Sequence, residues 1–170
     1  MITPAYCQLC ARYGRWMNER MVAALTGLAD DERKRDRGAF FGSMHRTLNH
    51  LVWADRVWLG RFTGDPFGEA AYGADLFDDF AALAAAREDA DRRILDWAGQ
   101  LTQGWLDSTL EYRASSDKRV RRLPAWIAAT HLFNHATHHR GQLTTLMKQA
   151  GVEPGATDLP WMPGVTQVID

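Results

Sequence analysis

Apolar side chains recur at steps of three and four residues along four stretches of the sequence, and this spacing constrains the fold most strongly. The period matches the 3.6-residue turn of an α-helix, so each stretch has one apolar face to bury. The pattern predicts helices over residues 3–29, 43–62, 75–99 and 124–150. Four such helices in a chain of 170 residues favour an all-α fold, a four-helix bundle.

Residue types that are common at helix ends support these boundaries. Thr3 precedes Pro4, and proline is a favoured first residue of a helix. Asp75 is predicted to cap the third helix. Gly151 follows the fourth helix at the position where a left-handed residue commonly ends one. The charged run 30–37 is interpreted as a solvated connection.

A small β-hairpin is predicted between the third and fourth helices. Residues 108–113 and 119–123 show weak alternation on either side of a polar turn. The basic cluster 118–122 is then interpreted as a solvated edge of this hairpin. Residues 151–170 contain three prolines and are predicted to form an irregular tail. No repeat or long linker divides the sequence, so one domain over residues 1–170 is expected.

Charge and composition argue against several classes of protein. The 20 basic and 21 acidic residues give a net charge of −1, which offers no basic face for nucleic acid. No run of 18 apolar residues predicts a membrane-spanning helix, and the first residues lack the order of a secretory signal. Cys7 and Cys10 lack the context of a zinc or redox site and are interpreted as ordinary helical cysteines. We therefore expect a cytoplasmic protein without nucleic-acid or membrane partners.

Histidines are the residues that most suggest a function, and four of the six lie within nine residues of the fourth predicted helix. His131, His135 and His139 follow one another at four-residue steps, so neighbours lie one turn apart on one side of the helix. Two imidazoles at this spacing can bind one metal ion, whereas His131 and His139 are about 12 Å apart along the axis. One adjacent pair is expected to bind, with a further ligand from His45 or His50 on the second helix.

The spacing alone leaves the choice of pair open, and it leaves the alternative that the cluster is a solvated helix face. Core positions on the same helix, such as Leu132 and Leu143, favour a buried site. No glutamate follows His131 or His135, and no Glu-x-x-His occurs, so neither a metalloprotease nor a di-iron bundle is supported. Three neutral histidines leave one coordination position for water or substrate, as in catalytic metal sites.

Two segments of the sequence resemble the signatures of the DinB family. Residues 47–59, which begin Thr-Leu-Asn-His, resemble the first signature, and residues 131–142, which contain His-Leu-Phe-Asn-His-Ala-Thr-His-His, resemble the second. Residues 11–13, 15–18 and 157–159 are also similar to the family. The resemblance therefore spans nearly the whole chain.

The resemblance implies a bundle of the DinB/YfiT-like type, usually a homodimer, with one divalent metal ion. It implies that the metal ligands are His50, His135 and His139. His131 and His138 would then be neighbours that line the pocket or form hydrogen bonds to the ligands. Because imidazole binds many transition metals, zinc or nickel is expected, with iron, copper or manganese as alternatives.

Related proteins in the superfamily include enzymes that use low-molecular-weight thiols. The resemblance therefore implies a metal-dependent transferase or hydrolase whose partner is a small-molecule substrate or a thiol. The alternative is a metal-binding stress-response protein without catalysis, since the family name refers to damage-inducible expression. Asp55, Arg140 and Gln142 are interpreted as structural residues.

Overall fold

The computed structural model describes residues 2–65 and 73–167. Its elements in chain order are α1 (Pro4–Thr26), α2 (Asp30–Lys34), α3 (Met44–Thr63), α4 (Phe80–Gln100), α5 (Gln103–Asp107), β1 (Thr109–Arg113), β2 (Val120–Pro124), α6 (Ala125–Gln149) and a 3-10 turn (Leu159–Trp161). The long helices α1, α3, α4 and α6 are the four that the apolar period predicts. The predicted connection between the second and third long helices, and the end of the predicted tail, lie partly outside the described residues.

The four long helices pack as a bundle. Helix α1 packs against α4 and α6, and α3 packs against the same two helices, which places α1 and α3 at opposite corners. The strands β1 and β2 pair antiparallel, with Leu110 opposite Leu123. They form a hairpin between α5 and α6. The predicted all-α bundle and its small hairpin are both confirmed.

Several helix ends are those that the sequence predicts. The hydroxyl of Thr3 accepts a hydrogen bond from the backbone N–H of Tyr6 at 3.2 Å, and α1 begins at Pro4. The hydroxyl of Ser43 caps α3 in the same way, at 3.1 Å from the nitrogen of Arg46. Gly151 follows α6 with φ of 75°, a left-handed conformation that glycine adopts without a steric penalty.

The prediction that Asp75 caps the third long helix is wrong. Asp79 is the cap, and its carboxylate accepts from a backbone N–H of the first turn at 2.8 Å. Asp75 instead pairs with Arg46 at 3.0 Å. The amide of Asn49 on α3 accepts from the N–H of Phe77 and donates to its carbonyl, both at 2.9 Å. This tertiary anchor holds the residues before Asp79 outside the helix.

The prediction that residues 30–37 are simply a solvated connection is also wrong. Residues 30–34 form the short helix α2, and Arg33 is buried. Its guanidinium donates to the carbonyls of Leu25, at 3.1 Å, and Leu28 at the end of α1. It also lies 4.3 Å from the centre of the Phe80 ring. Because carbonyls at a helix end lack partners, a buried arginine is well suited to this position.

The core consists of two hydrophobic clusters that draw on opposite ends of the four long helices. One contains Met17, Met21, Leu25, Met44, Leu48, Leu51, Leu83, Leu143, Leu146 and Met147 among others. The second contains Cys7, Ala11, Leu59, Phe62, Ile94, Trp97, Leu106, Ala128, Leu132 and Phe133 among others. The middle turns of the helices lie between the clusters, and several of the buried polar side chains lie on these turns.

Five buried polar or charged side chains lie on these middle turns, and we call them the polar layer: Asn18, Asp55, Arg87, Asp91 and Arg140. Arg87 is 1% exposed and pairs with Asp55 at 2.7 Å and with Asp91 at 3.0 Å. Asn18 donates to the same oxygen of Asp91 at 2.8 Å, so the network joins α1, α3 and α4. The predicted structural role of Asp55 is therefore confirmed as a buried ion pair.

The substitution Arg87→Met is expected to lower the free energy of unfolding by about 3 to 5 kcal/mol, because it leaves two buried carboxylates without their cation. Urea denaturation followed by circular dichroism measures the change. Arg92→Met is the control on the same helix, since the Arg92 side chain is 62% exposed and should contribute less than about 1 kcal/mol. Equal losses in the two variants would contradict this account of the polar layer.

Candidate metal site

Three histidines from two helices converge on one point beside the polar layer, and we call them the histidine cluster: His50 of α3 with His135 and His139 of α6. The Nε2 atom of His135 lies 3.2 Å from that of His50 and 3.1 Å from that of His139. The three residues offer ring nitrogens that all lie within 4.8 Å of one another. His50 and His139 are buried, and His135 is partly exposed.

These separations fit a bound transition metal. Zinc–imidazole bonds of about 2.0 to 2.1 Å at tetrahedral angles place ligand nitrogens about 3.3 Å apart. The two measured Nε2 separations are within a few tenths of an ångström of that value. A cluster of three neutral nitrogen donors is also a donor set that divalent transition metals accept. The residues present therefore fit a divalent ion.

Neighbouring side chains orient two of the three rings. The Nδ1–H of His139 donates to the Gln142 side-chain carbonyl at 2.8 Å, which leaves the lone pair on Nε2, where the rings converge. The His50 ring stacks on Phe41 at 4.1 Å between centres, with Trp53 5.8 Å from it. Among the described residues, Nδ1 of His50 has no hydrogen-bond partner, so aromatic packing rather than a polar contact holds this ring.

Burial keeps the histidine cluster neutral. Desolvation, with a smaller contribution from His139, lowers the pKa of His50 to about 4. Desolvation and the surrounding imidazoles lower the pKa of His135 to about 3. Desolvation also lowers the pKa of His139, although its hydrogen bond to Gln142 opposes the shift. Neutral imidazoles have a free lone pair, which is the form that a metal ion needs.

The other histidines occupy different positions. His131 lies one turn before His135, with its ring 5.4 Å from that of His135. His138 is exposed and accepts from the amide of Gln142 at 3.3 Å, the same residue that orients His139. His45 lies apart from the cluster, since its Nε2 donates to the carbonyl of Phe77 at 2.8 Å.

The histidine cluster borders a cavity of about 320 Å³. Helix α3 contributes Trp58 and Arg61 to its lining, and the hairpin contributes Tyr112. His50 and His135 belong to the same lining, so a small molecule in the cavity can reach the ring nitrogens. A larger groove of about 530 Å³ runs past Trp97 and includes none of the histidines.

Three residues of this site were not predicted from the sequence to serve it. Gln142 lies one turn after His139, so helical spacing alone could have identified it as a partner. Arg61 lies about three turns after His50 on the same face of α3, and this spacing is also readable in the sequence. Phe41 precedes α3 and has no periodic signal that would connect it to His50.

None of the helices in the described part of the chain combines the length and apolar character that a membrane crossing requires.

The fold and the histidine cluster define a helical-bundle protein with a candidate metal site. The sequence model of the protein family described as "DinB family" matches residues 1–168 of this chain. The chain belongs to the DinB family.

Individual relatives agree with this assignment. Protein DinB of Bacillus subtilis (strain 168) is 24% identical over 152 residues, which cover 86% of this chain and 87% of that protein. The uncharacterized protein YrdA of the same organism is 27% identical over 131 residues, or 75% of this chain and 73% of that protein. The crystal structure of a DinB-like protein from Bacillus cereus shares the fold, with a TM-score of 0.61 at 22% identity over 83% of this chain and 90% of that chain.

The cysteines lie on α1 and both are free thiols. Cys7 is fully buried in the second hydrophobic cluster, and burial together with the nearby Cys10 raises the pKa of its thiol to about 11. Burial also raises the pKa of Cys10. A protonated, enclosed thiol is a poor nucleophile and a poor metal ligand, which agrees with the interpretation of both as ordinary helical cysteines.

Cys7 is expected to react with iodoacetamide at pH 8 at least about 100-fold more slowly in the folded protein than in urea. Its raised pKa alone leaves about 100-fold less thiolate, and burial restricts access further. Mass spectrometry of tryptic peptides at timed quenches measures the rate at each cysteine. Similar rates for Cys7 in the folded and unfolded protein would contradict the buried position.

Proposed function

We propose that this chain binds one divalent metal ion through the Nε2 atoms of His50, His135 and His139, and that it is a metal-dependent enzyme acting on small molecules. The observation that carries the proposal is the convergence of three neutral ring nitrogens beside a cavity of about 320 Å³. Membership in the DinB family is compatible with it. Because three protein ligands leave a position for another, the arrangement resembles catalytic more than structural metal sites.

A bound divalent ion would lower the pKa of a thiol or water and so provide a nucleophile near neutral pH. With a thiol the reaction would be a group transfer, and with water it would be a hydrolysis. The protein would contribute the orientation of the ligands through Gln142 and the exclusion of bulk water by Phe41 and Trp53. Zinc or nickel suits three imidazoles best, and iron, copper or manganese are alternatives.

His131 and His138 would act around the ligands. His131 lines the cavity beside His135, where it would contact a small molecule. His138 would help to position Gln142, and through it His139. The homodimer that the family resemblance implies stays a prediction, which analytical ultracentrifugation would test.

The substitution His50→Ala is expected to lower metal affinity by more than about 100-fold. Loss of a hydrogen-bond partner of a ligand already lowers affinity by about 10- to 100-fold, and loss of a ligand should exceed that. Tag-free protein is incubated with each metal and desalted, and its metal content is measured by inductively coupled plasma mass spectrometry. Wild type should retain about one ion per chain, and the variant should retain little.

His138→Gln is the matched control, because His138 is exposed and lies outside the converging set, and the glutamine keeps an acceptor for the amide of Gln142. This variant should keep about one ion per chain. Equal metal content in wild type and His50→Ala would overturn the metal site.

Activity across a panel of thiols and electrophiles, with and without metal, then separates an enzyme from a metal-binding stress-response protein, since the latter would bind the ion without turnover.

The substitution Gln142→Ala is expected to weaken metal binding by about 10- to 100-fold while leaving the stoichiometry near one, because it removes only the acceptor that orients His139. Competition with a chelator of known affinity measures the dissociation constant. Gln149→Ala serves as the control, since Gln149 is exposed near the end of the same helix. Unchanged affinity in Gln142→Ala would show that this hydrogen bond does not support the site.

A further inference from the structure

The cavity beside the histidine cluster contains a positive charge that the proposed metal function does not use. Arg61 of α3 is half-buried and lies 4.5 Å from the ring centres of both Trp58 and Tyr112. Its Nη2 donates to the hydroxyl of Ser115 at 2.9 Å and, more weakly, to the Arg113 carbonyl at 3.4 Å. Across residues 2–65 and 73–167, no carboxylate oxygen lies within 4 Å of this guanidinium.

The second arginine of the same cavity is already neutralised. Arg121 forms two parallel hydrogen bonds of 2.8 Å to the carboxylate of Asp117. This contact and the backbone of Arg119 lower the pKa of Asp117 to about 2. Among the residues that the structure describes, Arg61 therefore differs from Arg121 in having only neutral partners, and its guanidinium still has donors available to a ligand.

A partly buried cation without an anion is unfavourable, and two aromatic faces offset only part of that cost. An oxyanion that accepts two hydrogen bonds from the planar guanidinium would compensate the charge. Contacts with the Trp58 and Tyr112 rings and the hydrogen bond to Ser115 limit the movement of the Arg61 side chain, so its guanidinium is held at the wall of the cavity for such a contact. The lining of the cavity thus favours a ligand with a negative group at this point.

Aromatic rings bridge the distance from Arg61 to the histidine cluster. The Trp58 ring lies 4.8 Å from that of His131, which lies 5.4 Å from that of His135. Arg61 and His50 are about three helical turns apart on one face of α3, so a ligand that reaches both must be elongated. Its middle part would rest on the faces of Trp58 and His131.

We propose that the cavity binds an elongated small molecule, with an oxyanion on Arg61 and Ser115 and a metal-binding donor at the histidine cluster. This inference rests on the proposed metal function and adds the chemical class of the ligand. Arg61 is a specificity-determining residue: it selects molecules that carry a carboxylate or phosphate at the end remote from the reacting group.

The test uses the full chain loaded with cobalt(II) and a series of ω-mercaptocarboxylates of three to eight carbons. Each is compared with the ω-mercaptoalcohol of equal length, which has the same thiol but no charge. Cobalt absorption and calorimetry measure binding. At the best-fitting length, the carboxylate should bind at least about tenfold more tightly than the alcohol, as expected for a charge-assisted hydrogen bond. The matching ω-mercaptoalkyl phosphates show which oxyanion is preferred, and a preference for either supports the proposal.

Variants assign the preference to Arg61. Arg61→Met should reduce the ratio of carboxylate to alcohol affinity to about one, and Arg61→Lys should retain only part of it because the amine lacks the planar fork. Arg121→Met is the matched control and should keep the wild-type ratio, since Asp117 already neutralises Arg121. Cobalt stoichiometry and circular dichroism confirm that each variant is folded, and Arg61→Gln replaces the Met variant if that one does not fold.

The outcomes of these experiments distinguish a failure of the proposed ligand class from a failure of the proposed metal site. If wild type binds no cobalt, the metal function fails and the ligand class fails with it. If cobalt binds but carboxylate, phosphate and alcohol bind equally, or no member of the series binds, the role of Arg61 is overturned while the metal site stands. An unchanged ratio of carboxylate to alcohol affinity in Arg61→Met would also overturn the role of Arg61.

Discussion

A buried guanidinium and its two carboxylates constrain the rest of this structure. Arg87 lies in the middle of the bundle, where an uncompensated charge would cost several kcal/mol. Asp55 and Asp91 compensate this charge, and Asn18 donates a further hydrogen bond to Asp91. Because these residues come from three helices, their contacts set the height at which those helices face one another. Hydrophobic packing at the two ends of the bundle is less directional and would tolerate other alignments.

The alignment has a direct consequence for the candidate site. Asp55 and His50 lie little more than one turn apart on α3, and Arg140 follows His139 on α6. The polar layer thus fixes the position of α3, which carries His50, and the His50 ring lies 4.6 Å from that of His139 on α6. The site therefore depends on contacts outside it, and its burial has a chemical effect: the imidazoles are neutral because they are desolvated.

The surroundings of the histidine cluster divide into two different environments. Phe41 covers one face of His50 and packs near His139, which encloses that side of the cluster. The cavity on the other side combines aromatic surfaces with the cation Arg61, and the hairpin supplies Tyr112 as part of its wall. Enclosure on one side strengthens electrostatic interactions near the ring nitrogens, whereas the cavity provides access. A small insertion in an otherwise helical fold thus contributes to the candidate binding site.

Periodicity and end-capping residues, both of which are local properties of the sequence, determined much of this protein. The four long helices, the caps Thr3 and Ser43, Gly151 and the hairpin follow from preferences that depend on residues only a few positions apart. The i, i+4 spacing of His135 and His139 is local in the same sense. The resemblance to the DinB family, rather than spacing, distinguished His50 from His45 as the partner on α3.

Contacts between distant segments decided what local patterns could not. Asn49 binds the backbone at Phe77, and the N-cap of α4 is Asp79 rather than Asp75. Arg33 donates to backbone carbonyls at the end of α1. The placement of Phe41 over His50, and the absence of a carboxylate near Arg61 in the described chain, likewise depend on the packing of separate elements. Sequence alone specifies which faces must be buried and which residues can bind a metal; only the tertiary structure decides which of them meet, because burial and charge compensation are properties of the assembled bundle.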